Sequence, residues 1–166
     1  MRSITFHPLS PADVPRLTRW LQEEHVRAFW DDGERDETAV YAHYFRPGRD
    51  VPGFLFHVDG QPTGFLQVQQ VKPGHPFMAW AAPQGDTWGL DLLIGAPEEV
   101  GQGLAAQVIG AFVTWWAAQH PGLRRLLIDP DKSHTRAVRA YQKAGFQTCG
   151  ALADAEGRRL ILHFDL

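Results

Sequence analysis

Apolar and polar residues alternate along several short stretches of this chain and recur at helical spacing along others. Alternation predicts strands over residues 3–7, 54–58, 64–71, 87–94 and 123–128. Helical spacing predicts a first helix that opens at Ser10 or Asp13, and later helices over residues 24–30, 38–45, 103–120 and 133–144. A last pair of strands is expected around the turn Ala155-Glu156-Gly157.

The order of these elements predicts an α+β fold, an α/β three-layer arrangement in which helices flank a mixed central sheet of about seven strands. A tight turn at Asp59-Gly60-Gln61-Pro62 indicates antiparallel neighbours in the first half. Strand 87–94, helix 103–120 and strand 123–128 form one βαβ unit in the second half. Because the 166 residues contain no internal repeat and no linker, we expect a single domain over residues 1–166.

Composition limits the cellular compartments and the classes of partner that we expect for this chain. A net charge of -3 and a pI near 6.2 leave no basic stripe for nucleic acid. The single cysteine, Cys149, cannot form an internal disulfide. Residues 1–10 contain no apolar stretch that could serve as a secretory signal. The most apolar stretch, residues 104–118, is too short to span a lipid bilayer. That stretch predicts a core helix face comprising Leu104, Val108, Phe112 and Trp115. We expect a cytoplasmic protein without nucleic acid or membrane partners, and the oligomeric state stays open.

A segment of small residues, Val100-Gly101-Gln102-Gly103-Leu104-Ala105, lies between strand 87–94 and the following helix. Backbone N–H groups that converge at a helix N-terminus suit a pyrophosphate. The spacing Gly101-x-Gly103-x-x-Ala106 also matches a dinucleotide fingerprint, although its glycines do not directly follow the strand and the upstream half is antiparallel. A purely structural turn at the helix entry is the remaining alternative.

A second motif follows in the expected order. Asp129-Pro130-Asp131-Lys132-Ser133-His134-Thr135-Arg136-Ala137 leads into Tyr141-Gln142-Lys143-Ala144-Gly145-Phe146. Together with the glycine segment, it resembles the acyl-CoA binding core of the GNAT superfamily of N-acetyltransferases. Further similarity at residues 20–30, 44, 89–93 and 128–130 narrows the resemblance to aminoglycoside 6'-N-acetyltransferases and the related siderophore acyltransferases. The resemblance covers nearly the whole chain and is weakest over residues 72–86.

This resemblance implies acetyl-CoA as a cosubstrate. It implies coenzyme contacts at thirteen positions, namely Leu92, Leu93, Ile94, Val100, Gly101, Gln102, Gly103, Leu104, Ala105, His134, Ala137, Tyr141 and Lys143. The eight histidines form no close pair at helical ligand spacing, so we expect no metal site.

The chemistry of amine acetylation singles out two residues. An alkylammonium must lose a proton before its nitrogen can attack a thioester. Asp91, an acid inside an apolar strand, is the candidate base or amine-orienting group, with a paired structural carboxylate as the alternative. By resemblance, Asp91 takes the catalytic position and Tyr141 protonates the coenzyme A sulfur; a core tyrosine is the alternative for Tyr141. Direct transfer without a covalent acyl-enzyme is expected, because Cys149 has no neighbouring His in the sequence and is interpreted as a buried strand residue.

The expected partner is a small-molecule amine. Carboxylates concentrated in the first part of the chain would complement a cationic acceptor, such as an aminoglycoside or a polyamine. For most of that cluster, a solvated acidic loop is the favoured alternative. The resemblance implies acceptor contacts at Trp30, Tyr44, Asp91, Asp129 and Glu156. Siderophore acyltransferases commonly carry His at the position of Asp91, so the Asp favours an aminoglycoside-like acceptor. The alternatives are a siderophore-type acyltransferase and a coenzyme A binding module without catalysis, the latter because Val100 and His134 differ from the residues usual at their positions.

Overall fold

The computed structural model describes residues 2–30, 35–152 and 157–166. Within them the strands are β1 (Ile4–Pro8), β2 (Gly53–Val58), β3 (Gln61–Gln70), β4 (Asp86–Ile94), β5 (Leu123–Ile128), β6 (Gln147–Ala151) and β7 (Leu160–Asp165). The helices are α1 (Val14–Gln22), α2 (Glu24–Arg27), α3 (Glu37–Tyr44), α4 (Leu104–Gln119) and α5 (Thr135–Lys143). Single turns of 3-10 helix occur at Pro11–Asp13, Met78–Trp80 and Pro97–Glu99.

The strands form one seven-stranded mixed sheet in the order β1-β2-β3-β4-β5-β7-β6, with flanking helices. Strand β4 runs parallel to β5. Helix α4 connects these two strands, so the expected βαβ unit is confirmed. The pairs β1–β2, β2–β3, β5–β7 and β6–β7 are antiparallel.

The chain divides into two compact units, of which the first comprises Met1–Gln67 and Leu92–Gln102. Helices α1, α2 and α3 bury their apolar sides against side chains of β2, β3 and β4 in this unit. The buried set consists of Val14, Leu17, Trp20, Leu21, Val26, Val40, Tyr44, Leu55, Phe65 and Leu93. Gly95 is required at its position, because a Cβ there would lie 2.1 Å from the Trp20 ring.

The second unit comprises Val68–Asp91 and Gly103–Leu166. Helix α4 covers one face of its strands, where Trp116 meets Trp88 of β4 edge to face at 5.2 Å between ring centroids. Helix α5 packs against α4. The opposite face carries a smaller buried cluster of Val71, Leu127 and Ile161, with Phe77, Trp80, Ala81 and Leu152 packed against it.

Three details differ from the sequence predictions. Gln61 and Pro62 belong to β3, so the turn between β2 and β3 is confined to Asp59 and Gly60. Trp116 rather than Trp115 completes the buried face of α4, because the helix places Trp116 directly over Trp88. The prediction that Cys149 is buried is wrong, since the side chain is exposed on β6, the strand at one end of the sheet.

Every helix among the described residues is too short or too polar to span a lipid bilayer. The expectation of a single domain over residues 1–166 stays a prediction.

Candidate active site

Two carboxylates lie where β4 and β5 stop pairing. Gly89 and Leu127 are the last residues of these strands in register, among the residues that the structure describes. Asp91 and Asp129 each follow two residues later, and side chains two residues apart lie on the same face of a strand. Both carboxylates therefore share one face of the sheet, at an end where β4 and β5 are no longer hydrogen-bonded to each other. We call residues 90–91 and 128–129 the strand opening.

Asp129 is largely buried, and its carboxylate is held by an arginine from the last strand region. Burial and the nearby charge of Asp91 raise the pKa of Asp129 from 3.8 to about 7, against the opposing effect of Arg159. Arg159 Nη1 donates to the Asp129 carbonyl at 3.0 Å and lies 3.4 Å from Asp129 Oδ2. Near neutral pH, Asp129 is thus close to its midpoint of ionisation.

Tyr141 of helix α5 lies within the electrostatic influence of the same two carboxylates. Its side chain is 8% exposed. Burial, followed by the charges of Asp91 and Asp129, raises the pKa of the phenol, which keeps it protonated. Phe146 lies between Tyr141 and Phe164 of β7, with ring centroids 6.3 and 5.5 Å apart. Since Phe164 pairs with Leu126, α5 packs on the face opposite to Leu127 and Asp129.

The glycine segment contains two residues in the left-handed backbone conformation. Gly101 and Gly103 have φ angles of 78° and 76°, and Gly103 caps helix α4. Both glycines and the intervening Gln102 are exposed, whereas Leu104 is buried. The turn that precedes Val100 is tied to the first strand region, because Arg2 donates to both carboxylate oxygens of Glu99 at 2.8 and 2.7 Å.

The end of β4 contacts a histidine side chain of the first unit. His25 Nε2 lies 2.7 Å from the Ile94 carbonyl oxygen, and a carbonyl can only accept, so this nitrogen carries the proton. Leu93 is buried in the core of the unit, while Leu92 and Ile94 are partly exposed.

Helix α5 begins after a tight turn. Asp131 accepts from the backbone N–H and the hydroxyl of Ser133 at 2.9 and 2.7 Å. His134 occupies the N-cap position and is partly buried, and burial lowers its pKa. Ala137 is partly buried, whereas Lys143 is exposed at the C-terminal end of the helix.

Two other predicted acceptor contacts, Trp30 and Tyr44, belong to the first unit, where both rings contact Phe65 edge to face, at 6.0 and 5.4 Å. Tyr44 is part of the buried core, with the Arg49 guanidinium 4.8 Å above its ring. Glu156 lies outside the described residues.

A family model described as an acetyltransferase (GNAT) domain matches residues 10–153. The chain belongs to the GNAT acetyltransferase family. Relatives of this GNAT chain cover most of its length. It is 25% identical to the aminoglycoside N(6')-acetyltransferase type 1 of Klebsiella pneumoniae, over 93% of the chain and 79% of that protein.

Solved structures confirm the GNAT fold. The aminoglycoside acetyltransferase AAC(6')-Ib in complex with coenzyme A superposes with a TM-score of 0.83 at 24% identity, covering 98% of this chain and 95% of that one. The same enzyme in complex with coenzyme A and kanamycin gives a TM-score of 0.84 at 23% identity, with coverage of 98% and 95%. The fold and family expected from the sequence are therefore confirmed.

Within the second unit of this GNAT acetyltransferase, three of the predicted residues interact electrostatically: Asp91, Asp129 and Tyr141. Arg159, which the sequence reasoning did not single out, anchors Asp129, and its place in the doublet Arg158-Arg159 was the available signal. Among residues 2–30, 35–152 and 157–166, no three His, Cys, Asp or Glu side chains are grouped so as to hold a metal ion.

Proposed function

We propose that this chain transfers the acetyl group of acetyl-CoA to a primary amine of a small cationic, aminoglycoside-like acceptor, by direct transfer in a ternary complex. The observation that carries the proposal is the group of Asp91, Asp129 and Tyr141 at the strand opening. The relatives support the class of acceptor, because they are named as aminoglycoside acetyltransferases. A cytoplasmic location forms part of the proposal.

In this proposal the carboxylates bind and deprotonate the acceptor. An ammonium placed between Asp91 and Asp129 brings a positive charge that lowers the pKa of Asp129 and ionises it. Asp91 then orients the amine or takes its proton, directly or through water. Arg159 holds Asp129 in place through the carbonyl and carboxylate contacts. Trp30, Tyr44 and Glu156 stay predicted acceptor contacts.

In the proposed reaction, acetyl transfer passes through one tetrahedral intermediate. The amine nitrogen attacks the thioester carbonyl, an N–C bond forms, and the tetrahedral intermediate carries an oxyanion that backbone N–H groups near Leu92 or Leu93 stabilise. The C–S bond then breaks as Tyr141 donates its proton to the thiolate sulfur. The proton that the attacking nitrogen loses on becoming an amide passes through water to the tyrosinate and restores the phenol, and the proton taken up by Asp91 passes to solvent. A phenol with a raised pKa suits this role, because it is protonated when the thiolate leaves.

Acetyl-CoA would be held by residues around the glycine segment. The exposed backbone of residues 101–103, with two left-handed glycines at the start of α4, suits the pyrophosphate. Leu92, Leu93 and Ile94 of β4 would contact the pantetheine arm. Val100, Leu104, Ala105, His134, Ala137 and Lys143 complete the predicted set of coenzyme contacts.

The test follows free thiol while the protein, acetyl-CoA and a panel of kanamycin-like amines, linear polyamines and hydroxylated lysine-type amines are mixed. Cys149→Ser removes the protein's own exposed thiol from the signal. We expect turnover with kanamycin-like amines and a loss of about 10² to 10⁴ in kcat for Asp91→Asn and Tyr141→Phe. Acetyl-CoA binding without turnover of any amine would instead identify a binding module, and a preference for hydroxylated amines would identify a siderophore-type enzyme.

A further inference from the structure

An aromatic side chain lies on the same sheet face as the two carboxylates. A Cβ built at Gly89 would lie 3.6 Å from Cδ2 and Cε2 of Phe77, so the Phe77 ring rests on the backbone of β4 at that residue. Gly89 precedes Asp91 by two residues, and its register partner Leu127 precedes Asp129 by two. The ring therefore borders the row of the sheet that carries both carboxylates.

Phe77 is fixed on one side and accessible on the other. It packs against the buried cluster of Val71, Leu127 and Ile161, yet it remains partly exposed. Its neighbour Trp80 is held as well, because Arg125 Nη1 donates to the Trp80 carbonyl at 2.9 Å. Residues 75–80, which we call the covering segment, thus lie over the apolar part of this sheet face. They extend as far as the paired residues Gly89 and Leu127, two positions before Asp91 and Asp129.

His75 holds the backbone of Phe77. The Phe77 N–H lies 3.0 Å from His75 Nδ1, and an N–H can only donate, so Nδ1 is the unprotonated acceptor. His75 Nε2 then donates to Gln69 Oε1 on β3 at 3.0 Å. The two hydrogen bonds connect the covering segment to β3, the strand next to β4, and require a neutral His75 imidazole.

We infer that Phe77 forms the apolar wall of the acceptor site and selects amines carried on a ring, with His75 as the residue that positions it. The inference rests on the proposed function. A carboxylate pair binds any ammonium, including that of a flexible polyamine. An aromatic surface next to the pair adds contact only for an acceptor that presents a rigid apolar face, such as the C–H face of a sugar ring, close to its ammonium.

The test compares Phe77→Ala, Phe77→Leu and the neighbouring control Met78→Ala, whose side chain is 43% exposed. We expect Phe77→Ala to raise the KM for a kanamycin-like amine about tenfold, with kcat and the KM for acetyl-CoA little changed. The KM for a linear polyamine should rise less in Phe77→Ala. The KM of Phe77→Leu for the kanamycin-like amine should lie between those of the parent and Phe77→Ala. Equal effects of Phe77→Ala and Met78→Ala, or an equal loss for ring-bearing and linear amines, would overturn the inference.

His75 provides a second variant pair. His75→Ala removes the acceptor for the Phe77 N–H, whereas the side-chain oxygen of His75→Asn can replace Nδ1. We expect the alanine variant to raise the KM of the ring-bearing amine and the asparagine variant to restore it.

Calorimetric binding of the same amines, in the presence of coenzyme A, separates this inference from the proposed function. Binding that depends on Phe77 without any turnover would overturn the enzymatic proposal and keep the acceptor wall. Amine binding equal in the parent and Phe77→Ala, or absent from both, would overturn the wall.

Discussion

Arg159 binds Asp129 twice, through the backbone carbonyl at 3.0 Å and the carboxylate at 3.4 Å. The guanidinium therefore both positions Asp129 and opposes the increase in pKa that burial and Asp91 cause. A bridge between Asp131 and Arg159 continues the contact between β5 and β7 at the position of this ion pair.

Arg159→Gln should shift the pH dependence of acceptor use. If ionised Asp129 binds the ammonium, kcat/KM for the acceptor rises as pH passes through about 7. Loss of the partly exposed guanidinium raises the pKa of Asp129 further, so this limb should move up by about half a pH unit. The measurement is a pH profile of kcat/KM, with Arg158→Gln as the control expected to leave the limb in place. A limb that stays at the same pH in Asp129→Asn would show that another group titrates.

Asp129→Asn should stabilise the protein more at high pH than at low pH. The pKa of Asp129 is about 7 in the folded protein and 3.8 in the unfolded chain. As pH rises between these values, Asp129 ionises in the unfolded chain but not in the folded protein, so the free energy of unfolding decreases. We expect the gain in unfolding free energy to be about 2 kcal/mol larger at pH 8 than at pH 5, as measured by urea denaturation.

Glu99→Gln is the matched control for that experiment. Hydrogen bonds from Arg2, which stays charged throughout this range, lower the pKa of Glu99, so its stabilising effect is lost only as pH falls below 4.5. This variant should lose nearly the same free energy at pH 5 and pH 8. Parallel pH dependence of the two variants would contradict the raised pKa of Asp129.

Gly103→Ala should weaken acetyl-CoA binding through its backbone. A Cβ at Gly103 meets no atom within 4 Å, but its φ of 76° is unfavourable for alanine by about 1 kcal/mol. We expect Gly103→Ala to lower the free energy of unfolding by about 1 kcal/mol and to raise the KM for acetyl-CoA. Gly110→Ala is the control, since its Cβ also meets open space but lies within helix α4, where alanine should add about 0.5–1 kcal/mol.

Gly95→Ala should destabilise the first unit by more than about 2 kcal/mol, because the added Cβ overlaps the Trp20 ring at 2.1 Å. Urea denaturation of Gly95→Ala, Trp20→Leu and the double variant measures the coupling. If the overlap is the cause, the double variant loses less than the sum of the two single variants. Additive losses would point to a different origin.

The sequence predicted the elements whose patterns are local. Strand 123–128 is reproduced residue for residue by β5, and Asp91 and Tyr141 were identified because an acid in an apolar strand and a tyrosine in a known motif are visible along the chain. Helix ends were less well predicted. Helix α2 stops at Arg27 rather than Trp30, because the Phe29 N–H donates to the carbonyl three residues earlier and interrupts the α-helical series of hydrogen bonds.

The parts that escaped prediction depend on long-range register. The contact of Arg159 with Asp129 exists only because β7 returns antiparallel beside β5. Phe77 is a single aromatic residue in a segment without periodicity, and only the pairing of Gly89 with Leu127 reveals its position beside the carboxylates. The exposure of Cys149 likewise follows from the place of β6 at the end of the sheet.

The placement of the carboxylates and of Tyr141 on opposite faces of the sheet has a kinetic consequence. Asp91, Asp129 and Phe77 lie on one face, whereas Tyr141 belongs to a helix on the other. In the proposed reaction, the amine and the thioester would then arrive from opposite sides and meet at the strand opening. Neither molecule blocks the route of the other, so the enzyme should add its two substrates in random order and show no compulsory first binder.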